Sequence, residues 1–197
     1  MKIADYISSL PECFLGQEPW QIVTDISEII TGQIAYLSDE YIITDNIAIH
    51  KSVIIEQGAI LKGPCIIGPD CFIAAYAYLR NGVWLEGKNS IGPAVEVKSS
   101  FFAHGSKAAH FNFIGDSLIG RNVNLEAGAI IANHRNELDD KEIICFDDGI
   151  AIQTGIKKFG ALIGDDCRIG ANAVLAPGTL LMPKTIIERL ALIDQTK

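Results

Sequence analysis

A chain of 197 residues, 49% hydrophobic and 20% charged, has the size and composition of one globular domain and a little more. Its 16 bases against 24 acids leave a net charge of −8, which argues against a sequence-independent hold on nucleic acid, where phosphates must meet clustered excess base. No apolar run approaches the roughly 18 residues of a membrane span, and 32 isoleucines beside 18 glycines and 8% aromatics point to β-structure with many turns.

In chain order, residues 1–10 hold one lysine and an interrupted apolar pattern, so no secretory signal is expected. Five cysteines (Cys13, Cys65, Cys71, Cys145, Cys167) form no C-x-x-C pair, suggesting neither a disulfide framework nor a thiolate metal site, and the cytoplasm is the expected compartment. Ile3, Tyr6, Ile7 and Leu10 fall at helical spacing. Pro19 opens a second helix in which Trp20, Val23, Ile26 and Ile30 recur and which Gly32 is expected to end. Residues 1–42 read as a helical cap on the first coil of the β-structure that follows.

From Ile43 a step of six gives Ile43, Ile49, Ile55, Leu61, Ile67, Ile73, Leu79, Leu85, Ile91 and Val97 without a failure. Compact residues recur four positions after many of these, among them Cys65, Cys71 and Ala77. The step resumes at Ile119, Leu125 and Ile131, and again at Ile163, Ile169, Leu175 and Leu181, bracketing an insertion over 132–162. A period of six suits neither a helix nor a flat strand. It suits short strands bent every six residues, three to a coil, each coil burying its interior against the next. The fold class predicted is an all-β solenoid over residues 43–185 with a protruding loop, and 186–197 read as a short helix or extended tail. Cys65, Cys71 and Cys167 occupy compact interior positions, where a thiol packs as a small hydrophobe.

The pattern slips between Val97 and Ile119. Ala103 and Ala109 keep the step but are small for corners, and Ile114 arrives five residues before Ile119. Such irregularity is where function is expected. The stretch holds Glu96, Lys98, His104, Lys107, His110, Asn112 and Asn124, and Arg80 lies 18 residues before Lys98, so the two should stack on one face as an anion site. His110 lies outside the interior positions, which weakens a purely structural reading of it. Trp84, Phe101 and Phe102 project apolar area, read as subunit interface in preference to cover for the N-terminal segment.

The hexads resemble those of the left-handed parallel β-helix acyltransferases, and handedness follows from that resemblance. Val95-Glu96-Val97-Lys98, then residues 105–116 (GSKAAHFNFIGD), then 119–128 (IGRNVNLEAG) and Asn133 resemble the acetyltransferase domain of bifunctional N-acetylglucosamine-1-phosphate uridylyltransferases and their archaeal sugar-1-phosphate relatives. The resemblance covers roughly 43–185. It implies transfer of acetyl from acetyl-CoA to the amine of an amino-sugar phosphate, with no metal required. His110 is then the base and Glu96 the support of its imidazolium. Arg80 and Lys98 hold the phosphate, Asn124 and Asn133 the sugar. A backbone N–H near Ala127 meets the oxyanion, and Ala171 lies along the CoA arm. Lys157 and Lys158 follow the insertion, where a CoA phosphate contact and plain solvated charge are both compatible with the spacing. The family implies a homotrimer with sites between subunits.

The chain departs from that pattern at Phe113 (usually tyrosine), Glu126 (a glycine) and His134 (another aromatic), and, as it stops soon after Leu181, an abbreviated nucleotide end of the donor site is expected. No glycine-rich nucleotidyltransferase motif precedes the helix, so no uridylyl transfer is expected. Two rivals stand beside this reading. One is a hexapeptide-repeat scaffold that has lost donor binding through Glu126. The other is a zinc enzyme of the γ-carbonic anhydrase type, invited by His104 and His110, although their spacing of six differs from that family's.

Overall fold

In the computed structural model, which describes residues 1–196, the chain winds into a triangular parallel β-solenoid, consistent with the left-handed β-helix. Strands from successive turns stack in register to form three walls. The first wall contains residues 78–80, 96–98, Phe113–Gly115, Ile130–Ile131, Val174–Leu175 and Leu192–Ile193. The second contains Ile47–His50, Cys65–Ile67, residues 83–85 and 100–102, Leu118–Ile119, Ala161–Ile163 and Thr179–Leu181. The third contains Ile54–Ile55, Phe72–Ile73, Ser90–Ile91, Lys107–Ala108, Asn124–Leu125, Arg168–Ile169 and Ile186–Ile187.

The register explains the slip. Ile54, Phe72 and Ser90 pair at steps of 18, but Ser90, Lys107 and Asn124 pair at steps of 17. The residue is lost at one corner: Arg80 pairs with Lys98 and Val83 with Ser100, so Asn81 and Gly82 stand opposite Ser99 alone. The interior ladder therefore runs Val97, Phe102, Ala108, Ile114, Ile119, Leu125, Ile131, all buried in one core. Ala103 and Ala109, expected as rungs, are one position out: Ala103 packs outside the coil and Ala109 is half-buried. Phe102, expected at the surface, is the interior rung. Polar residues at the compact positions of these shorter turns satisfy the bent backbone. Ser106 Oγ donates to the Gly120 carbonyl and accepts from the Val123 N–H, and Asn89 Nδ2 donates to the Ala103 carbonyl. Cys65, Cys71 and Cys167 lie buried inside as expected, and burial pushes the Cys65 thiol up to about 12 and that of Cys71 to about 11.

Both ends differ from the expected boundaries. Tyr41–Thr44 pairs antiparallel with Ile47–His50 across a two-residue turn, Asp45-Asn46, in which both residues have positive φ (50° and 60°). Ile43 is therefore half exposed on an edge strand, and the coil begins at Ile47. Residues 186–193 are no tail: Ile186–Ile187 and Leu192–Ile193 add to the third and first walls in unbroken register, making a further turn.

The helix α1 (Pro19–Ile34) starts where expected, with proline in its first turn and a capping box between Glu18 and Gln21. It runs past Gly32, because burial of Ile30 and Ile34 outweighs the modest cost of a glycine inside the helix. Its apolar face lies along the second wall, against a cluster that includes Ala48, Ile66, Phe101, Ala103, Leu118 and Leu162, instead of over the end of the coil. Gly82 permits this approach, since a Cβ there would meet Ile26 Cγ2 and Ser27 Oγ at 2.8 Å. Trp84 and Phe101 surround Phe14 with ring centroids 5.6 and 5.1 Å away, so they lie beneath the N-terminal segment and form no exposed interface.

The insertion forms a hairpin, Ile144–Asp147 with Ile150–Gln153, whose base buries Ile143 and Cys145 in the cluster under α1. The first residues clasp it from outside. Tyr6 Oη donates to Asp147 Oδ1 at 3.0 Å, the N-terminal amine lies 3.5 Å from Asp147, and Ser8 donates through its N–H and hydroxyl to Asp165 beyond the insertion.

Candidate active site at the edge between the first and third walls

Arg80 and Lys98 stack on the outer side of the first wall as predicted. Each is already paired. Arg80 donates to Glu96 Oε1 through Nε (2.8 Å) and its terminal nitrogen (2.7 Å), and its guanidinium lies 5.7 Å from the centroid of the Tyr78 ring. Lys98 Nζ lies 2.8 Å from both oxygens of Asp116, with little of either side chain exposed. Asn133 Nδ2 donates to the same Asp116 carboxylate. Arg80, Glu96, Lys98 and Asn133 are thus brought to one patch, with Asp116 joining the last two. Asp116 had no predicted role; Lys98 pairs with Gly115 in the shortened turn, and Asp116 is the corner residue that follows.

His110 sits exposed at the corner joining the third wall to the first, and its carbonyl accepts the Gly128 N–H at 2.8 Å. Among the described residues its ring has no hydrogen-bond partner. Glu96 pairs in register with Phe113, and its carboxylate is taken by Arg80, so the expected support of the His110 ring by Glu96 is not made here.

Asn124 lies on another wall, the third, between Lys107 and Arg168. Within one chain it does not join Asn133. Ala127 and Ala171 follow His110 up the corner, one turn each. The Ala127 N–H has no acceptor among the described residues, whereas Ala171 donates to Glu126 Oε2 at 2.9 Å. Arg189 grips the same carboxylate through Nε (2.8 Å) and a terminal nitrogen (2.9 Å), and the two contacts hold the Glu126 carboxyl below its ordinary range. A carboxylate reaching up one turn to an unpartnered corner N–H recurs at Glu56 with Ala75 and Glu86 with His104. Arg189 was not predicted, because the insertion breaks the spacing that would have aligned it with Glu126. Lys158 is exposed on the segment returning from the insertion, beside Asn133 and His134, where His134 Nδ1 lies 3.0 Å from the Lys157 carbonyl and the Phe159 N–H donates to the Asn133 carbonyl. That is the Asn133 end of the site, away from Ala171.

A cavity of about 450 Å³ opens on the third wall beside this corner, lined by Asn124, Glu126, Arg168, Gly170, Glu188 and Arg189 among others. His104 and His110 occupy different corners, at opposite ends of Lys107–Ala108, and no group of three His, Cys, Asp or Glu side chains among the described residues is placed to hold a metal ion.

Residues 46–81 match the bacterial transferase hexapeptide family (six repeats). The chain's repeats are similar to those of hexapeptide-repeat transferases. A bifunctional sugar-1-phosphate nucleotidylyltransferase/acetyltransferase of Sulfurisphaera tokodaii is 37% identical over 173 residues, 82% of this chain and 41% of that protein. The bifunctional protein GlmU of Methanococcus maripaludis is 32% identical over 182 residues, 89% of this chain and 43% of the relative. A GlmU of Exiguobacterium sibiricum is 34% identical over 148 residues, covering 73% and 29%. The hexapeptide-repeat chain thus spans less than half the length of these relatives. Among the described residues no helix is long and apolar enough to cross a membrane.

Proposed function

We propose that the protein transfers acetyl from acetyl-CoA to the amine of an amino-sugar phosphate such as glucosamine 1-phosphate or galactosamine 1-phosphate. The observation that carries this is the juxtaposition at one corner of an exposed, unpartnered imidazole, His110, with the unpartnered N–H of Ala127 one turn above. The first can take a proton and the second can receive an oxyanion. In this reading the amine attacks the thioester carbonyl while His110 accepts its proton. The C–S bond then breaks and the proton passes to the departing thiolate.

Arg80 and Lys98 meet the sugar phosphate by exchanging part of their bonds to Glu96 and Asp116 for bonds to it, and Asn133 holds the sugar. Asn124 joins them only from the third wall of a second copy, which supports a homotrimer with sites between subunits. Ala171 and Lys158 remain the proposed contacts of CoA, the first on condition that Glu126 gives up its N–H. No metal enters this reaction, and a cytoplasmic enzyme acting on small molecules, without nucleic acid or membrane and without nucleotidyl transfer, fits it.

The test is thiol release from acetyl-CoA in the presence of each amino-sugar phosphate, with His110→Ala as control. Loss of at least a hundredfold in the variant is expected; equal rates overturn the role of His110. A second reading, a scaffold that has lost donor binding, is favoured by one observation, the occupation of the Ala171 N–H by Glu126. Absence of thiol release with any amino-sugar phosphate would select it. Stoichiometric zinc in protein purified without chelators would instead revive the carbonic-anhydrase-like alternative.

A further inference from the structure

On the first wall Arg80 faces Glu96 and Lys98 faces Asp116. The third wall differs. Lys107, Asn124 and Arg168 follow one another in register on its outer side, while Ala108, Leu125 and Ile169 point inward. Lys107 and Arg168 are exposed, and among the described residues neither side chain has a hydrogen bond or ion pair. Parallel strands lie about 4.8 Å apart, so the two backbones are about 10 Å apart with the Asn124 amide midway. Both long side chains can converge on one anion above that amide. Two unpaired cations bracketing a neutral donor are conspicuous in a chain that carries 24 acids against 16 bases.

The cavity supplies the enclosure. Arg168 and Asn124 line it, and on its other side Arg189 is held against Glu126, which removes that carboxylate as a source of repulsion. Glu188, two residues beyond Ile186 on the neighbouring strand, is the one lining carboxylate without a partner among the described residues. It places the favourable end of the cavity at Asn124 and Arg168, with Lys107 on the next strand just outside the lining.

We propose that this row is a phosphate-binding site, taking a phosphate ester or diphosphate through the Arg168 fork, the Lys107 ammonium and the Asn124 amide. It rests on the acyl-transfer reading only for which reactant brings the phosphate, the donor through its CoA phosphates or the acceptor through its sugar phosphate.

Isothermal titration calorimetry with inorganic pyrophosphate, CoA and glucosamine 1-phosphate tests it, with pantetheine as a phosphate-free control. Arg168→Gln is expected to weaken pyrophosphate binding about tenfold or more, the loss of one charge-assisted contact. Lys107→Gln weakens it less, and Glu188→Gln tightens it several-fold by removing repulsion. Lys88→Gln, a change of the same charge at another corner, leaves it unchanged. A response of CoA alone to Arg168→Gln assigns the phosphate to the donor, and a response of glucosamine 1-phosphate alone assigns it to the acceptor. The site is overturned if pyrophosphate does not bind the parent, if Arg168→Gln binds it as the parent does, or if Lys88→Gln weakens it equally. Because the readout is equilibrium binding, the site can stand where thiol release fails, and thiol release can stand where the site fails.

Discussion

Glu126 Oε2 accepts the backbone N–H of Ala171 one turn above it at 2.9 Å, at the position proposed above as a contact of CoA. Arg189 fixes the carboxylate in place. Glu126→Gln can keep the cap and lose the ion pair, whereas Glu126→Gly loses both. If the cap obstructs the donor, Glu126→Gly lowers the KM for acetyl-CoA by about tenfold with the acceptor KM unchanged, the equivalent of one charge-assisted contact. An unchanged donor KM with a lowered Tm would mark Glu126 as a structural cap only. The sign with pH follows from the depressed Glu126 carboxyl. Its contribution is complete above the ordinary value of 4.5 and disappears as pH falls through the lower folded value. Parent and Glu126→Gln should therefore differ in Tm at neutral pH and converge in acid.

Asp116 joins two side chains assigned to substrate, Lys98 and Asn133. Asp116→Ala leaves a largely buried ammonium without its counter-ion, and about 3–5 kcal/mol of stability is expected to be lost in urea unfolding. Asp116→Asn should recover part of that stability but still raise the acceptor KM. A variant that unfolds early yet retains the parental acceptor KM would limit Asp116 to a structural role.

Arg135, with 5% of its side chain exposed, forms a two-pronged pair with Asp194 and also donates to the Pro177 carbonyl, joining the start of the insertion to the last turn. The guanidinium holds the Asp194 carboxyl well below the usual carboxylate range. The stabilisation is complete above the ordinary 3.8 and is lost as pH falls through the folded value. Asp194→Asn is expected to cost about 3–5 kcal/mol at pH 7 and progressively less in strong acid, read from thermal unfolding at stepped pH.

Phe102 and Phe101 are both buried but on opposite sides of the second wall, one inside the coil and one beneath Phe14. Phe102→Ala opens a cavity in the solenoid interior and is expected to cost about 3–5 kcal/mol in denaturant unfolding. Ala109→Ser, half-buried at the corner, should cost far less than Ala108→Ser, inside the coil. The reverse order would return the register to the uninterrupted step of six.

The thiols should separate kinetically. Burial pushes Cys65 and Cys145 up to about 12 and Cys71 to about 11, while Cys13 is half-buried. At pH 7.5 a disulfide reagent such as DTNB is expected to label Cys13 first and the other four only on unfolding. Fast labelling of Cys65 in the native protein would contradict the packing of the interior.

The coil was legible because its rule is local: an aliphatic every sixth position is required wherever a short strand bends and stacks. The shortened turns were visible only as a disturbance, since Ala103 and Ala109 extend the same arithmetic as Phe102 and Ala108. What decides between them is the single residue Ser99 standing opposite Asn81 and Gly82, a fact of pairing between turns. The placement of Trp84 and Phe101 was not legible either, because the chain that covers them, around Phe14, comes from far away in sequence. At the candidate site, Arg80 and Lys98 stack as their spacing implied, and Asn133, read from the resemblance, joins Lys98 through Asp116. Their carboxylate partners change the electrostatics, and Arg189 was hidden by the insertion that separates it from Glu126.

The clasp made by the first eight residues has a consequence for how the molecule comes apart. A solenoid whose turns touch only their neighbours can melt one turn at a time from an end, like a stack of plates. Here Tyr6 reaches Asp147 and Ser8 reaches Asp165, bonds spanning 141 and 157 positions of the chain. These tie the beginning of the chain across the gap where the stack is interrupted. Fraying from either end is thereby coupled to the middle, and loss of the clasp and loss of the coil become a single cooperative event.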